Sequence, residues 1–178
     1  MTSATDVVAA MTAALVGRTA AGDRIAVPGD LPLQPDQFPA LKVRIVAEGK
    51  TSTGRGTIGF TTLVTIRVQG EVSEPVDPDD DLLVATIMAK LLVLKRQAER
   101  AIIGDGALFR IVQQLASVTT QFAYGVQAQR LAGIQSDYVF EIYEGAEDFA
   151  AIEDEPIDAI DLAASHYPPA GLTASLPL

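Results

Sequence analysis

The sequence predicts an α/β (α+β) fold, in which a mixed, largely antiparallel sheet with a long β-hairpin packs against two to three helices. Three observations predict it. Between Thr57 and Val68, Ile58, Phe60, Val64, Ile66 and Val68 fall on one face, and Thr57, Thr61, Thr65 and Arg67 fall on the other. Such period-two alternation marks a strand with one buried and one wet face. Leu83, Ile87, Leu91 and Leu94 then recur at spacings of three and four, the period of a helix. Ile134, Tyr138, Phe140 and Ile142 alternate again in a late strand.

The elements follow in order. A first helix is expected from Asp6 to Val16, where Ser3-Ala4-Thr5-Asp6 resembles a capping box and Val8, Met11 and Leu15 form a stripe. Gly17 stops it. Arg24 to Val27 reads as a short strand, ended by Pro28-Gly29, and Leu31 to Gln37 as a proline-bearing connector. A strand over Ala40 to Val46 starts after Pro39, where proline is tolerated. Glu48 to Gly56 is expected to be the loop of the hairpin, and Thr57 to Val68 its second strand.

Glu74-Pro75-Val76-Asp77-Pro78 is a break. The longest helix is expected from Asp80 to Ile102. Carboxylates at its start and Lys95, Arg96 and Arg100 at its end suit the helix dipole. Leu82, Val84, Met88 and Val93 widen its stripe beyond what a surface helix needs, so it is expected to pack on the sheet and on a neighbouring subunit. Leu108 to Leu115 suggests a short third helix, Val118 to Ala128 is weakly strand-like, and Ile134 to Tyr143 is the last clear strand. Residues 1–145 form the predicted domain. Residues 146–178 form an acidic, proline-containing C-terminal arm with Phe149, Ile152, Ile157, Ile160 and Leu162 as anchors.

Composition narrows the function. The chain has 178 residues, enough for one domain with a sizeable core. It contains no cysteine, which excludes disulfides, thiolate metal sites and a cysteine nucleophile. No stretch reaches the roughly 18 apolar residues of a membrane span, and the N-terminus lacks the basic start of a signal peptide. A soluble, intracellularly made protein with no membrane partner is expected. The net charge is −10, and residues 131–178 carry ten of the acids with no Lys or Arg. That block repels phosphate, so no direct nucleic-acid contact is expected there. It reads either as a solvated tail or as an acidic docking surface for a basic partner.

No catalytic or metal motif survives inspection, and neither an enzymatic activity nor a cofactor is expected. Gly49-Lys50-Thr51 resembles the end of a phosphate-binding loop, but Arg44 stands where the first Gly is needed and a strand follows in place of a helix. His166 is the only histidine, and no serine motif supports a catalytic role for it. Asp77, Asp79, Asp80 and Asp81 lack the glycine and late glutamate of a calcium loop, and helix capping accounts for them. Glu147, Asp148, Glu153, Asp154 and Glu155 have no apolar pocket around them in the sequence pattern that would raise a carboxyl for acid-base work.

The informative charges are Lys42, Arg44, Lys50, Arg55 and Arg67. Lys42 and Arg44 share the wet face of their strand, Arg67 lies on the corresponding face of the next, and Lys50 and Arg55 are placed in the loop. This basic hairpin is either an ordinary wet sheet face or a contact surface for an acidic segment of an adjacent copy.

The ordered set resembles the tail terminator (tail completion) proteins of long-tailed bacteriophages, the group of the U-type minor tail protein. Four parts carry the resemblance over residues 5–143. They are the N-terminal helix, Asp36-Gln37-Phe38-Pro39-Ala40-Leu41-Lys42-Val43, the strand Thr57 to Val68, and the helix from Asp80 through Glu99-Arg100-Ala101-Ile102 with Asp105, Leu108 and the late strand. Order and spacing carry more of it than identity. The resemblance implies a virion subunit without an active site, closing into a homohexameric ring. The ring caps the tail tube, stops its polymerisation and meets the head connector, so its partners are further copies of itself, the tube protein and a connector or neck protein. Lys42, Arg44, Lys50, Arg55, Arg67, Ile157, Ile160 and Leu162 are then the candidate interface residues, with Glu155 to Leu162 an arm for a neighbour. Another neck component, a tube subunit, or a small ligand-binding or enzymatic α/β domain are the alternatives.

Overall fold

The computed structural model describes residues 2–28, 33–56, 58–74, 83–126 and 130–150. Helix α1 spans Ala4–Leu15. The capping box forms: the Ser3 hydroxyl accepts from the Asp6 N–H at 3.2 Å, and the Asp6 carboxylate accepts from the Ser3 N–H at 2.8 Å. Gly17, at φ +68°, turns the chain away in the left-handed region that a side chain disfavours. Strand β1 is only Ile25–Ala26. A 3-10 turn at Pro35–Gln37 leads into β2, Ala40–Ser52, and the hairpin returns as β3, Phe60–Glu74.

Both hairpin strands differ from expectation. β2 runs six residues past Val46 and absorbs most of the expected loop, because Glu48 to Ser52 pair with Phe60 to Val64. Backbone pairing overrides the small, polar side chains there. Ile58 precedes β3 and is 57% exposed, so it is not part of the buried face. Glu74, expected in a break, still pairs with Arg130.

Helix α2 is Leu83–Ile103, and α3 is a single turn, Leu108–Ile111. The α3 stripe stops before Leu115, which lies in the sheet instead. The weakly strand-like region is a full strand, β4 (Gln114–Val126), and it pairs with β5 (Arg130–Glu144) as a second long hairpin. The chain continues into a 3-10 turn at Ala146–Phe149. Asp77, Asp79, Asp80, Asp81, Ile152, Ile157, Ile160, Leu162 and His166 lie outside the described residues.

The five strands form one sheet in the order β1-β2-β3-β5-β4, antiparallel except for the short β1–β2 pair. The fold is therefore α+β, with the helices on one face. Val43, Val64, Ile66, Val68, Ile134, Tyr138, Phe140 and Ile142 project into the core from the sheet. Val7, Met11 and Leu15 of α1 and Leu91, Leu94 and Ile102 of α2 meet them. Gly70 sits in this face opposite Leu41 and Ile134, whose side chains fill the space over its backbone.

Two bulges bracket one row of the sheet. On β2 the register moves from Ile45 opposite Ile66 to Ala47 opposite Thr65, leaving Val46 as the extra residue. On β4 it moves from Leu115 opposite Phe140 to Ser117 opposite Val139, leaving Ala116. Thr65 pairs with Val139, so both insertions flank the same row. Each exchanges the faces of all residues beyond it on its strand.

Candidate functional surfaces

Directly opposed residues in an antiparallel ladder share a face, so the registers settle where each candidate side chain points. Lys42, Arg44 and Arg67 occupy the face turned away from the helices, as expected. Arg44 stands opposite Arg67, and Lys42 opposite Gln69. Gln69 continues to Gln135 and then Gln121, a row of three amides across three strands.

This face is a neutralised grid and not a bare basic patch. Lys42 donates to Glu71 at 2.9 Å, and Gln69 donates to the same Glu71 oxygen at 2.7 Å. Arg67 donates through Nε and a terminal nitrogen to the two oxygens of Asp137 at 2.7 and 2.8 Å. The two-point pairing fixes the guanidinium plane, and the Asp137 hydrogen bonds hold Arg67 above its ordinary pKa despite partial burial. Glu71 and Asp137 were missed in the sequence. Asp137 was findable, because the alternation of β5 places it opposite the core residue Tyr138's face and in the wet series with Gln135.

Lys50 lies elsewhere. Beyond the Val46 bulge, Glu48 and Lys50 come to the helix-bearing side of the sheet, and Lys50 belongs to β2, not to the loop. Its ammonium bonds Glu48 at 2.8 Å and also Glu144. The buried Thr62 hydroxyl donates to the same Glu144 oxygen. Burial opposes the Glu144 charge, yet the Lys50 and Thr62 hydrogen bonds outweigh it and hold the carboxyl below its ordinary range. The Lys50 ammonium sits 5.5 Å from the centroid of the Phe149 ring, which meets Phe60 edge-to-face at 5.4 Å. This cluster pins the 3-10 turn at Ala146–Phe149 to the far end of the first hairpin. Arg55 is exposed in the turn that joins β2 to β3.

A third surface is the solvent side of α2. Ala89, Val93, Arg96, Arg100 and Ile103 are exposed along it at alternating spacings of four and three, with Leu92 beside them. Val93 was expected to widen the core stripe, but it is 54% exposed. The one acid among the described α2 side chains, Glu99, is held by Lys95 one turn earlier. Next to the N-terminal half of this strip lies an open groove of about 620 Å³, lined by Phe38, Pro39, Val72, Ala89, Val93 and Leu94 with Ser73 and Lys90 as polar edges.

Among the described residues, no three His, Cys, Asp or Glu side chains cluster closely enough to hold a metal, and no helix is long and apolar enough to cross a membrane. Burial pushes the Tyr138 hydroxyl up, with the Glu99 charge adding to the effect, but Tyr138 is a core side chain stacked beside Phe140. No protein-family model and no curated protein matches the chain.

Proposed function

We propose that the chain is a structural subunit of a long-tailed bacteriophage, a tail terminator that closes into a ring on the tail tube and joins it to the head connector. The observation that carries this reading is the paired polar grid on the face of the sheet turned away from the helices. Arg67–Asp137 and Lys42–Glu71 lock its charged side chains in fixed directions. A rigid surface of fixed charge pattern suits register-specific contact with copies of the chain and with other subunits. The order of elements supports the reading further, because a helix, a long hairpin, a long helix and a late strand occur in the sequence in the terminator's order.

In this reading the work is done by interface geometry. Closed cyclic contacts make a ring of fixed size, whereas non-closing ones would continue the tube. The chain binds no cofactor and performs no chemistry. Electron microscopy of the purified protein, alone and with tail tubes, tests the proposal. A ring of countable subunits at one tube end is expected. Labelled copies along the whole tube would make the chain a tube subunit, and labelling only at the head side would make it a neck component. Tails of normal length in particles lacking the protein would sink the terminator reading.

A further inference from the structure

The solvent strip of α2 has a chemical complement in the same chain. Its exposed residues are apolar and basic: Leu92, Val93 and Ile103 among Arg96 and Arg100. Residues 153–162, Glu-Asp-Glu-Pro-Ile-Asp-Ala-Ile-Asp-Leu, are apolar and acidic, with five carboxylates and no base. We propose that this segment docks on the α2 strip of its own chain, with Glu153 to Glu155 against Arg100 and Arg96 and with Ile157, Ile160 and Leu162 along Val93 and the adjoining groove.

The path of the chain supports a dock within one copy. Phe149 is held by Phe60 and Lys50 on the side of the sheet that carries the helices, so the segment departs on the same side as α2. Ala89, Lys90, Val93 and Leu94 share a groove with Val72 and Ser73, and the Glu99 charge acts on Tyr138, which pairs with Ile66. The helix thus runs antiparallel to β3, and its C-terminal end points toward the departure point. The eleven residues from Ala150 to Ile160 span about 37 Å when extended. The twenty-one residues of α2 are about 31 Å long. The segment therefore meets the arginines first and the groove second, in the order of its own acids and apolar residues.

This placement also explains an exposed apolar stripe beside two arginines on a helix whose one described acid is already held. A helix of a second copy would bring its own Arg96 and Arg100 to the same strip, which like charge disfavours. The proposal stands apart from the ring reading, and it assigns to Ile157, Ile160 and Leu162 a partner other than a neighbouring subunit.

The absence of cysteine makes a clean test in the full chain. Val93→Cys and Ile160→Cys are combined and allowed to oxidise. The control pair is Thr119→Cys with Ile160→Cys, because Thr119 opposes Asp137 on the other face of the sheet. The expected result is an intrachain disulfide in the first pair forming at least about tenfold faster than in the control, reflecting the higher local concentration of docked groups. Adding Arg96→Glu and Arg100→Glu should slow it about threefold or more, once each thiol's rate is normalised to its reaction with a small neutral disulfide. Circular dichroism checks that the variants are folded. Equal rates for the two pairs overturn the dock. A disulfide of dimer mass on a non-reducing gel overturns it in favour of a second copy.

Discussion

Arg67 grips Asp137 across β3 and β5 through two parallel hydrogen bonds, while Arg44 stands opposite Arg67 on β2. The acid thus sits at one side of two opposed cations. Removing it leaves like charges directly across the ladder. Arg67→Ala, Asp137→Ala and the double variant should give a coupling energy of about 0.5–1 kcal/mol in urea unfolding, as half-exposed pairs do. Additive single effects would show that the pair is decorative.

The same grid predicts assembly behaviour. In the proposed ring, Lys42→Glu, Arg44→Glu and Arg67→Glu should each lower the oligomer fraction more than Lys90→Glu, which alters the far side of the molecule. Mass photometry of folded variants reads the outcome, and an unchanged oligomer mass for all three charge reversals would remove the sheet face from the interface.

Acid should weaken the contact at the far end of the first hairpin. The Glu144 carboxyl has its pKa lowered from 4.5, so the stability it contributes is fully present above its unfolded value and is lost as the pH falls through the folded one. Asp6 and Asp105 are lowered as well, by the backbone hydrogen bonds from Ser3 and from Leu108, and act in the same direction. Thermal melts should therefore be flat from neutrality to about pH 5 and should fall below it. Glu144→Gln should flatten part of that fall. An identical acid slope in this variant would show that the Lys50–Glu144–Thr62 contact does not couple to folding.

Gly70 tests the packing of the core face. A Cβ there would lie 3.0 and 3.2 Å from Ile134 side-chain carbons and 3.2 Å from a Leu41 methyl. Gly70→Val should cost about 1–3 kcal/mol by overpacking, measured by chemical denaturation, and Gly70→Ala should cost less because only side-chain ends must shift. A neutral valine would mean that the sheet and helices separate easily at this row.

The N-terminal cap is separable from the rest. Ser3→Ala should lower Tm by about 2–4 °C, and Ser3→Asp should largely restore it. No change would mean that α1 is held wholly by Val7, Met11 and Leu15.

Much of the architecture was legible in the residues because periodicity reports burial directly. Met11 and Leu15, Leu91 and Leu94, and Tyr138 and Phe140 are core residues that their spacing alone identifies. β4 was faint because its helix-side residues Leu115 and Val118 are only partly buried, so its alternation is shallow. The Glu48 to Ser52 extension was hidden for another reason: polar side chains on a solvated ladder carry no burial signal, and pairing is decided by the partner strand. The basic residues were identified from charge alone, but their acids come from Glu71, Asp137 and Glu144, 29, 70 and 94 positions away. Local sequence cannot report such distant partners. Nor does it report a bulge, which carries Lys50, expected in the loop, to the face opposite Lys42.

That single extra residue at Val46 gives the first hairpin two addresses. Its base displays Lys42 and Arg44 on one side of the sheet, and its far end delivers Lys50 to the other, where it meets Glu144 and Phe149. One uninterrupted strand thereby serves two surfaces that never meet. Substitutions at either end can retune one surface while leaving the other intact, because the pairings on the two sides of Val46 are separate.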